Sequence, residues 1–408
     1  MNNVLYITHD GLTDQLGQSQ IIPYLIGLAK CGFRITIVSS EKPKVYFEQK
    51  EKISALLKSA NIRWIPTTYS SSLPLVSKLG NSKKLEKKSF DVCRSEKINI
   101  VHCRGYIAAL TGLKLKKKLG IKFIFDMRGF WADERIEGGL WSKKNPLTLS
   151  LYRYFKKKEI EFINNSDYVI SLTEKASDEI LNLKKVRKNV KIGVIPCCVD
   201  IELFSSKSVT VEKIKNLKNK LEINQGDFVL SYLGSIGTWY LLDEMLLFFR
   251  NLLKTKPNAK FLFITQENKK SILVSAEKIG IPKNKIMVIS ASRNEVPALV
   301  CLSDLSVYFI KPTYSKKASS PVKMGEIMAM GIPAITNSGI GDSDRIINET
   351  GSGILINDFS EKSFEEAITK VEDLLKKDKT IFTNAAKKYF SLEKGIKFYE
   401  SVYGEVLK

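Results

Sequence analysis

The sequence predicts a parallel α/β protein built from two doubly wound, Rossmann-like domains, and three observations carry that prediction. Short apolar runs alternate with amphipathic helical patterns along the whole chain. A polar stretch from Ser205 to Asp227 interrupts the alternation, and a second series of strands begins after it. At 408 residues the chain is long enough for two domains, each with its own core.

In the first half the apolar runs place strands at Val4–Thr8, Arg34–Val38, Ile98–His102, Phe123–Asp126 and Tyr168–Leu172. Helical patterns lie between them at Ser19–Lys30, Ile107–Leu119 and Thr173–Leu183. The run VKIGVIPCCVD, Val190 to Asp200, reads as a last strand followed by a crossing near Pro196. The second half gives strands at Phe228–Leu233, Lys260–Thr265, Ile286–Ile289, Leu305–Phe309 and Ala334–Asn337. Ser319-Ser320-Pro321 starts a helix over Val322–Met330, a hydroxyl being suited to cap and Pro to the first turn; Gly331 and Pro333 stop it. The tail is helical, over Phe364–Lys376 and Glu393–Leu407.

Composition narrows the functional classes. No apolar run approaches the ~18 residues that span a bilayer, and MNNVLYITHDG lacks the basic-then-apolar form of an export signal. Six scattered cysteines suit reduced thiols in a cytosolic protein, and with only His9 and His102 a histidine-built zinc site is not expected. The net charge is +22. Residues 1–200 hold 35 Lys/Arg against 19 Asp/Glu, +16, and the remainder 30 against 24, +6. The excess clusters at Lys83–Lys88, Lys114–Lys118, Lys143-Lys144 and Lys156–Lys158. Such clusters fit a solvated lysine-rich surface, or attraction to an anionic membrane worth about 1 kcal/mol per basic residue. Apolar neighbours (Leu79, Leu85 and Phe90; Leu147, Leu151, Tyr154 and Phe155) suit the membrane better than a nucleic acid, for which no aromatic-interleaved basic motif is present.

In doubly wound sheets ligands sit at the carboxyl ends of strands. The first strand exits into HDGLTDQLGQSQ, His9 to Gln20. Its glycine spacing is not GxGxxG, which disfavours a dehydrogenase, yet the loop offers backbone N–H groups at a helix start. Other exits carry His102-Cys103-Arg104 and the charge-dense loop Asp126–Arg135, DMRGFWADER. In the second half, the start of the helix near Ser320 and the loop around Gly339 and Gly341 form two backbone-rich anion sites bracketing one unit. Lys323 and Glu326 lie three apart on one helix face: a cation suits a diphosphate, a carboxylate one turn on suits sugar hydroxyls. The alternative is an ordinary buried αβ unit with a solvated Lys and Glu. Asp342-Ser343-Asp344 is expected to cap a helix or contact hydroxyls rather than to bind a metal.

Taken in order, these segments resemble the GT-B-fold retaining glycosyltransferases of family 4, in the branch that builds bacterial surface polysaccharides. The resemblance rests on the loop Gly11–Gln20, FDMRGFWADERIEGGLW (Phe125–Trp141), SLTEKASDEI (Ser171–Ile180), VIPCCVD (Val194–Asp200), YLGSIGTWY (Tyr232–Tyr240) and SSPVKMGEIMAMGIPAI (Ser319–Ile335). It implies an acceptor domain over 1–194, a donor domain over 195–387 facing it across a cleft, and a final helix, 388–408, packing back on the first. It implies donor contacts from Gly17, Gly234, Ser235, Thr238, Arg293, Ser319, Ser320, Lys323 and Glu326, and catalytic-side roles for His102, Arg104, Arg128 and Glu134. Glu326 matches the second glutamate of the family's E-x7-E pattern, whereas Ala318 stands at the first. The family's Arg/Lys pair after the first strand of the donor domain is also missing, which shifts diphosphate neutralisation to Lys323, backbone N–H groups and Lys316 or Lys317. Arg104 replaces the second histidine of the family's motif at His102.

The reaction implied is front-face transfer from a nucleoside-diphosphate sugar to a lipid-linked saccharide, without metal or cofactor, by a cytoplasmic enzyme peripheral to the inner face of the membrane. Gly17, the Ser319-Ser320 helix start and Lys323 would stabilise the leaving diphosphate. The rival readings are a nucleotide-sugar epimerase of the same fold and a non-catalytic anionic-membrane-binding protein.

Overall fold

The computed structural model describes residues 2–70 and 74–408, with the side chains of 74–79, Leu79 among them, outside the description. The chain divides into two compact units: residues 1–196 with 392–408, and residues 197–391.

Unit 1 holds a seven-stranded sheet of β1 (Asn3–Thr8), β2 (Arg34–Glu41), β3 (Arg63–Thr68), β4 (Ile100–Arg104), β5 (Lys122–Asp126), β6 (Tyr168–Ser171) and β7 (Ile192–Val194). The strand order is β3-β2-β1-β4-β5-β6-β7, and every pairing is parallel. Unit 2 holds β8 (Phe228–Leu233), β9 (Ala259–Ile264), β10 (Ile286–Ile289), β11 (Leu305–Tyr308), β12 (Ala334–Asn337) and β13 (Gly353–Ile356), in the order β10-β9-β8-β11-β12-β13, again all parallel. The order reverses direction between β1 and β4 in one sheet and between β8 and β11 in the other, which is where a doubly wound sheet opens a crevice for ligands. Both sheets are covered by helices on both faces, so their strands are buried almost throughout and read as continuous apolar runs.

Two edge strands, β3 and β13, are absent from the expected set. Strand β3 contains Pro66, which cannot donate to a ladder and survives only because β3 is the sheet edge, opposite Ser39 of β2. Strand β13 is four residues opened by Gly353. The expected helix Ser19–Lys30 is two helices, Gln15–Gln20 and Ile22–Lys30, broken at Ile21 (φ −124°, ψ −62°). Pro23 is the cause: it has no N–H to donate to the Ser19 carbonyl four residues back, and its ring crowds that carbonyl, so one continuous helix cannot pass through it. The expected Phe364–Lys376 is likewise divided into Glu361–Thr369 and Val371–Leu375.

The last helix, Leu392–Leu407, belongs to unit 1. Its buried stripe of Tyr399, Val402, Tyr403 and Val406 follows helical spacing. It lies against Ile22–Lys30, where Gly27 leaves room for Ile396 and where the Tyr24 and Tyr399 rings meet edge-on at 5.5 Å. The helix thereby carries two phenol groups into the centre of unit 1.

Candidate active site

In unit 2 the site grows from the carboxyl end of β8. The strand runs into Gly234, whose φ of +120° is open to glycine alone; a Cβ there would stand 3.0 Å from Lys323 Nζ. Lys323 enters from the helix Val322–Ala329 and is only 6% exposed. Its ammonium donates to Tyr232 Oη at 2.9 Å and lies 3.5 Å from the Tyr240 ring centre and 4.3 Å from that of Tyr232. Tyr232 Oη donates in turn to the Ser235 carbonyl. Among the described residues no carboxylate forms an ion pair with Lys323 within 4.0 Å. Burial pushes its amine well below the ordinary lysine value, and Glu326 opposes that shift without cancelling it. The cage therefore holds a buried amine with no carboxylate ion-paired to it among the described residues, and Ser235 and Thr238 are exposed on the turn after β8.

One turn along, Glu326 accepts a 2.9 Å ion-paired hydrogen bond from Arg293 Nη1. The Arg293 guanidinium stands 5.1 Å from the Phe204 ring centre. Burial holds the Glu326 carboxyl above its usual range, while Arg293 and then Lys323 pull it back. Lys323, Glu326 and Arg293, separated by up to 33 residues, thus form one constellation.

Several expectations for unit 2 need correction. The helix begins at Val322 with Pro321 in the N-cap position and no side chain capping it. Ser320 Oγ instead accepts the Cys197 N–H at 3.1 Å. The Gly339–Gly341 loop does not present both its amides to an anion: Gly339 N donates to the Asp344 carboxylate at 3.1 and 3.2 Å, and Gly341 N to the Lys316 carbonyl at 2.8 Å. Asp342 does not cap its helix; it pairs with Arg345 at 3.6 Å. Ala318 is buried at the end of the turn Tyr314–Ala318, and Lys316 in the same turn lies 3.7 Å from the Trp239 ring centre.

In unit 1 the carboxyl ends of β4 and β5 gather charge around Asp126, which is wholly buried. Its carboxylate accepts from Tyr399 Oη at 3.1 Å and lies 3.5 Å from His102 Nε2, 3.8 Å from Arg104 Nη1 and 3.8 Å from Arg128 Nη1. Burial alone would raise this carboxyl, yet Arg128, the His102 contact and Arg104 outweigh it and hold it below its ordinary range. Arg104 Nε also reaches Asp10 at 3.4 Å, beyond the end of β1. Arg128 has a φ of +56°, a left-handed conformation rarely adopted by a long side chain. Non-glycine backbone of that kind concentrates where function over-determines the structure.

His102 is 1% exposed, and its Nδ1 meets Tyr403 Oη at 2.7 Å. Burial depresses its pKa against the pull of Asp126, which leaves a neutral ring packed among Tyr6, Tyr399 and Tyr403. Its Nε2, 3.5 Å from Asp126, has no hydrogen-bond partner among the described residues. Arg104 and Arg128 share its cluster. Glu134 lies on the helix Trp131–Glu137, beside Arg135, whose guanidinium lies 4.7 Å from the Trp131 ring centre. Asp133, in the same loop, is structural: it holds Tyr152 Oη at 2.9 Å and Lys156 Nζ at 2.8 Å.

The loop after β1 is also more closed than expected. Its Leu12 and Thr13 amides both donate to Glu41, at 2.8 and 3.2 Å. A Cβ on Gly17 would come within 2.2 Å of the Gly11 carbonyl, so this glycine is required for packing whatever else it contacts. Glu41, Tyr232, Tyr240, Tyr399 and Tyr403 are the site residues that the sequence reading misses. Tyr232 and Tyr240 carried a signal, flanking the glycine turn. The others carried none, since their partners come from elements far away in the chain.

Comparison with known proteins agrees with the two-sheet α/β fold. Residues 213–388 match the model of the glycosyl transferases group 1, and residues 24–203 that of glycosyltransferase family 4. Among curated proteins, the alpha-monoglucosyldiacylglycerol synthase of Acholeplasma laidlawii is 26% identical over 113 residues, a match spanning 28% of each chain. Among solved structures, a glycosyltransferase from Rickettsia africae ESF-5 has a TM-score of 0.71 at 17% identity, covering 100% of this chain and 99% of its own. Anabaena HepE, crystallised with UDP and glucose, has a TM-score of 0.70 at 14% identity, covering 99% and 100%. The structures establish the fold and the two family matches, one in each unit, the lineage: the chain belongs to the GT-B glycosyltransferases of the family 4 type.

Proposed function

We propose that this protein transfers a sugar, with retention of configuration, from a nucleoside-diphosphate sugar to a lipid-linked saccharide in the assembly of a surface polysaccharide. The observation that carries the reading is the Lys323 cage beside the Glu326–Arg293 pair: a buried amine in want of an anion, adjoining a carboxylate able to take a diol. Lys323, with Gly234, Ser235, Thr238 and the backbone at Ser319 and Ser320, serves the diphosphate. Glu326 serves the ribose, and Arg293 the end nearer the base. HepE, of the same fold, is seen with UDP and glucose, which supports a nucleotide-sugar donor.

On the acceptor side Arg104 and Arg128, held by Asp126, orient the acceptor, and Glu134 receives or directs its proton. The anomeric carbon to leaving oxygen bond breaks largely before the acceptor bond forms, so the charge to be stabilised is that of the departing diphosphate. No protein nucleophile is required, and neither metal nor cofactor is assigned a role.

A lipid-linked acceptor requires access to a membrane, and no helix among the described residues is long and apolar enough to cross one. Leu85 and Phe155 are buried and cannot serve as anchors. Many lysines of the 114–118 and 156–158 clusters are held in ion pairs, such as Lys117 and Lys158 with Glu161. Exposed Leu140, Leu147 and Tyr154, interspersed with exposed Lys143, Lys144, Arg153 and Lys157, remain as the membrane-facing surface. The glycolipid-synthase relative supports that environment. The test is nucleoside-diphosphate release from a panel of UDP-, GDP- and dTDP-sugars, with and without a membrane extract. Release that depends on the extract supports the proposal; turnover of a nucleotide sugar without an acceptor identifies an epimerase, and lipid binding without turnover a non-catalytic protein.

A further inference from the structure

Tyr232, near the carboxyl end of β8, is fully buried, with its ring centre 6.0 Å from that of Phe263 on the neighbouring strand and 6.2 Å from that of Tyr240. The core beside it is built from phenylalanines, Phe261 and Phe263, so packing alone does not call for a hydroxyl here. A buried hydroxyl is costly unless it is hydrogen-bonded. This one is met on both sides, by two residues of the candidate donor site. Its hydrogen goes to the Ser235 carbonyl, and its oxygen accepts from the Lys323 ammonium at 2.9 Å. Burial raises the Tyr232 phenol well above its ordinary value, so the hydroxyl keeps its proton and this direction of donation is fixed.

One phenol therefore joins the cation to the turn. Gly234 lies against the amine: a Cβ on it would stand 3.0 Å from Lys323 Nζ and 3.2 Å from Cε. The Gly234 N–H donates to the Ile264 carbonyl at 3.0 Å, which anchors the start of the turn to β9, and Tyr232 holds the Ser235 carbonyl one residue on. Among the described residues Tyr232 Oη is the one hydrogen-bond acceptor of the Lys323 ammonium, and it fixes where the other two N–H groups are presented. We propose that Tyr232 is a positioning residue of the donor site: its hydroxyl holds the Lys323 ammonium against the Gly234–Ser235 turn, ready to receive a diphosphate. The proposal rests on the assignment of Lys323 to the diphosphate, and every residue it uses belongs to unit 2.

The test is a double-mutant cycle read in nucleoside-diphosphate affinity. UDP, GDP and dTDP are titrated calorimetrically into the whole protein, and the one bound most tightly is carried through Tyr232→Phe, Lys323→Met and the double variant. Tyr232→Phe keeps the ring in its core position and should fold, which a thermal melt checks. It should weaken binding about three- to tenfold, the scale of one hydrogen bond. In the Lys323→Met background the same change should move affinity by less than about twofold, because its effect runs through the amine. The pH profile carries the same information. Tyr240 and Glu326 are the other titratable groups facing the amine, and neither is altered. The phenol oxygen favours the charged amine, so its removal lowers the Lys323 pKa, and binding should begin to weaken at a lower pH in Tyr232→Phe than in the wild type. Equal losses in the two backgrounds with an unshifted pH profile overturn the proposal and leave the Lys323 assignment standing. Affinity unchanged in Lys323→Met overturns that assignment and the proposal with it.

Discussion

Replacing Lys323 by methionine separates what this residue does for the fold from what it does for the ligand. In the empty protein the amine has one hydrogen bond, to Tyr232 Oη at 2.9 Å, and Tyr232 retains the Ser235 carbonyl as its own acceptor after the change. Methionine fills the space between the two tyrosine rings and strands no donor. At neutral pH the variant should be at least as stable as the wild type, since it removes an amine whose burial disfavours the protonated form. A diphosphate, by contrast, loses a charge-assisted hydrogen bond in a water-poor site, about 1.5–3 kcal/mol, or roughly 10- to 150-fold in affinity. Titration calorimetry with UDP and a thermal melt measure the two quantities on one preparation. The pH dependence follows with a definite sign. The folded pKa of Lys323 lies below the ordinary lysine value, so between the two the unfolded chain binds more protons and wild-type stability rises with pH through that window. UDP favours the protonated amine, so its affinity falls over the same window. The Lys323→Met substitution removes both dependences. UDP affinity within about threefold of wild type in a fully folded Lys323→Met protein would refute the assignment.

Other perturbations follow from the same contacts. Arg293→Ala leaves Glu326 buried without its 2.9 Å partner and should cost about 1–3 kcal/mol at pH 7, measured by chemical denaturation. Because the folded Glu326 pKa already lies above its unfolded value, that loss should shrink as pH falls toward the ordinary glutamate range. Asp126→Asn removes the carboxylate shared by His102, Tyr399, Arg104 and Arg128 and should destabilise unit 1 by about 3–5 kcal/mol. In the wild type, with the Asp126 pKa depressed, its contribution should be lost only as pH falls below about 4 and through the lower folded value. Tyr399→Phe should cost about 1 kcal/mol and lower kcat more than it alters UDP affinity, a split that simple loss of packing would not produce. Changing Leu147 and Tyr154 together to Ser should reduce sedimentation with anionic vesicles while leaving UDP binding intact.

Much of the fold was legible because buried parallel strands leave continuous apolar runs, which survive in the sequence whatever packs on them. The edges of the sheets were not: β3 carries Pro66 and β13 is opened by Gly353, and each is a strand only because its neighbour supplies the ladder. The pairing of Lys323 and Glu326 was legible, because their three-residue spacing fixes them on one helix face. Their partners were not. Arg293 lies 33 residues from Glu326, and Tyr403 lies 301 residues from His102, so their meeting is a consequence of topology. The glycine loop was legible as a turn but not in its chemistry, because two of its amides answer to Glu41 from the next strand. His102 was legible as a residue at the carboxyl end of β4, but its packing among Tyr6, Tyr399 and Tyr403 was not, since two of these come from the last helix.

The central claim, transfer of a sugar from a nucleotide donor to a lipid-linked acceptor, is tested most directly by following label. Purified protein is incubated with nucleoside-diphosphate sugars labelled in the sugar, together with lipids from a bacterial membrane, and the organic extract is counted. Label should enter the lipid fraction with one donor, in step with nucleoside-diphosphate release, and should be lost in Lys323→Met. Release of diphosphate or conversion of the donor with no label entering any lipid would contradict that claim.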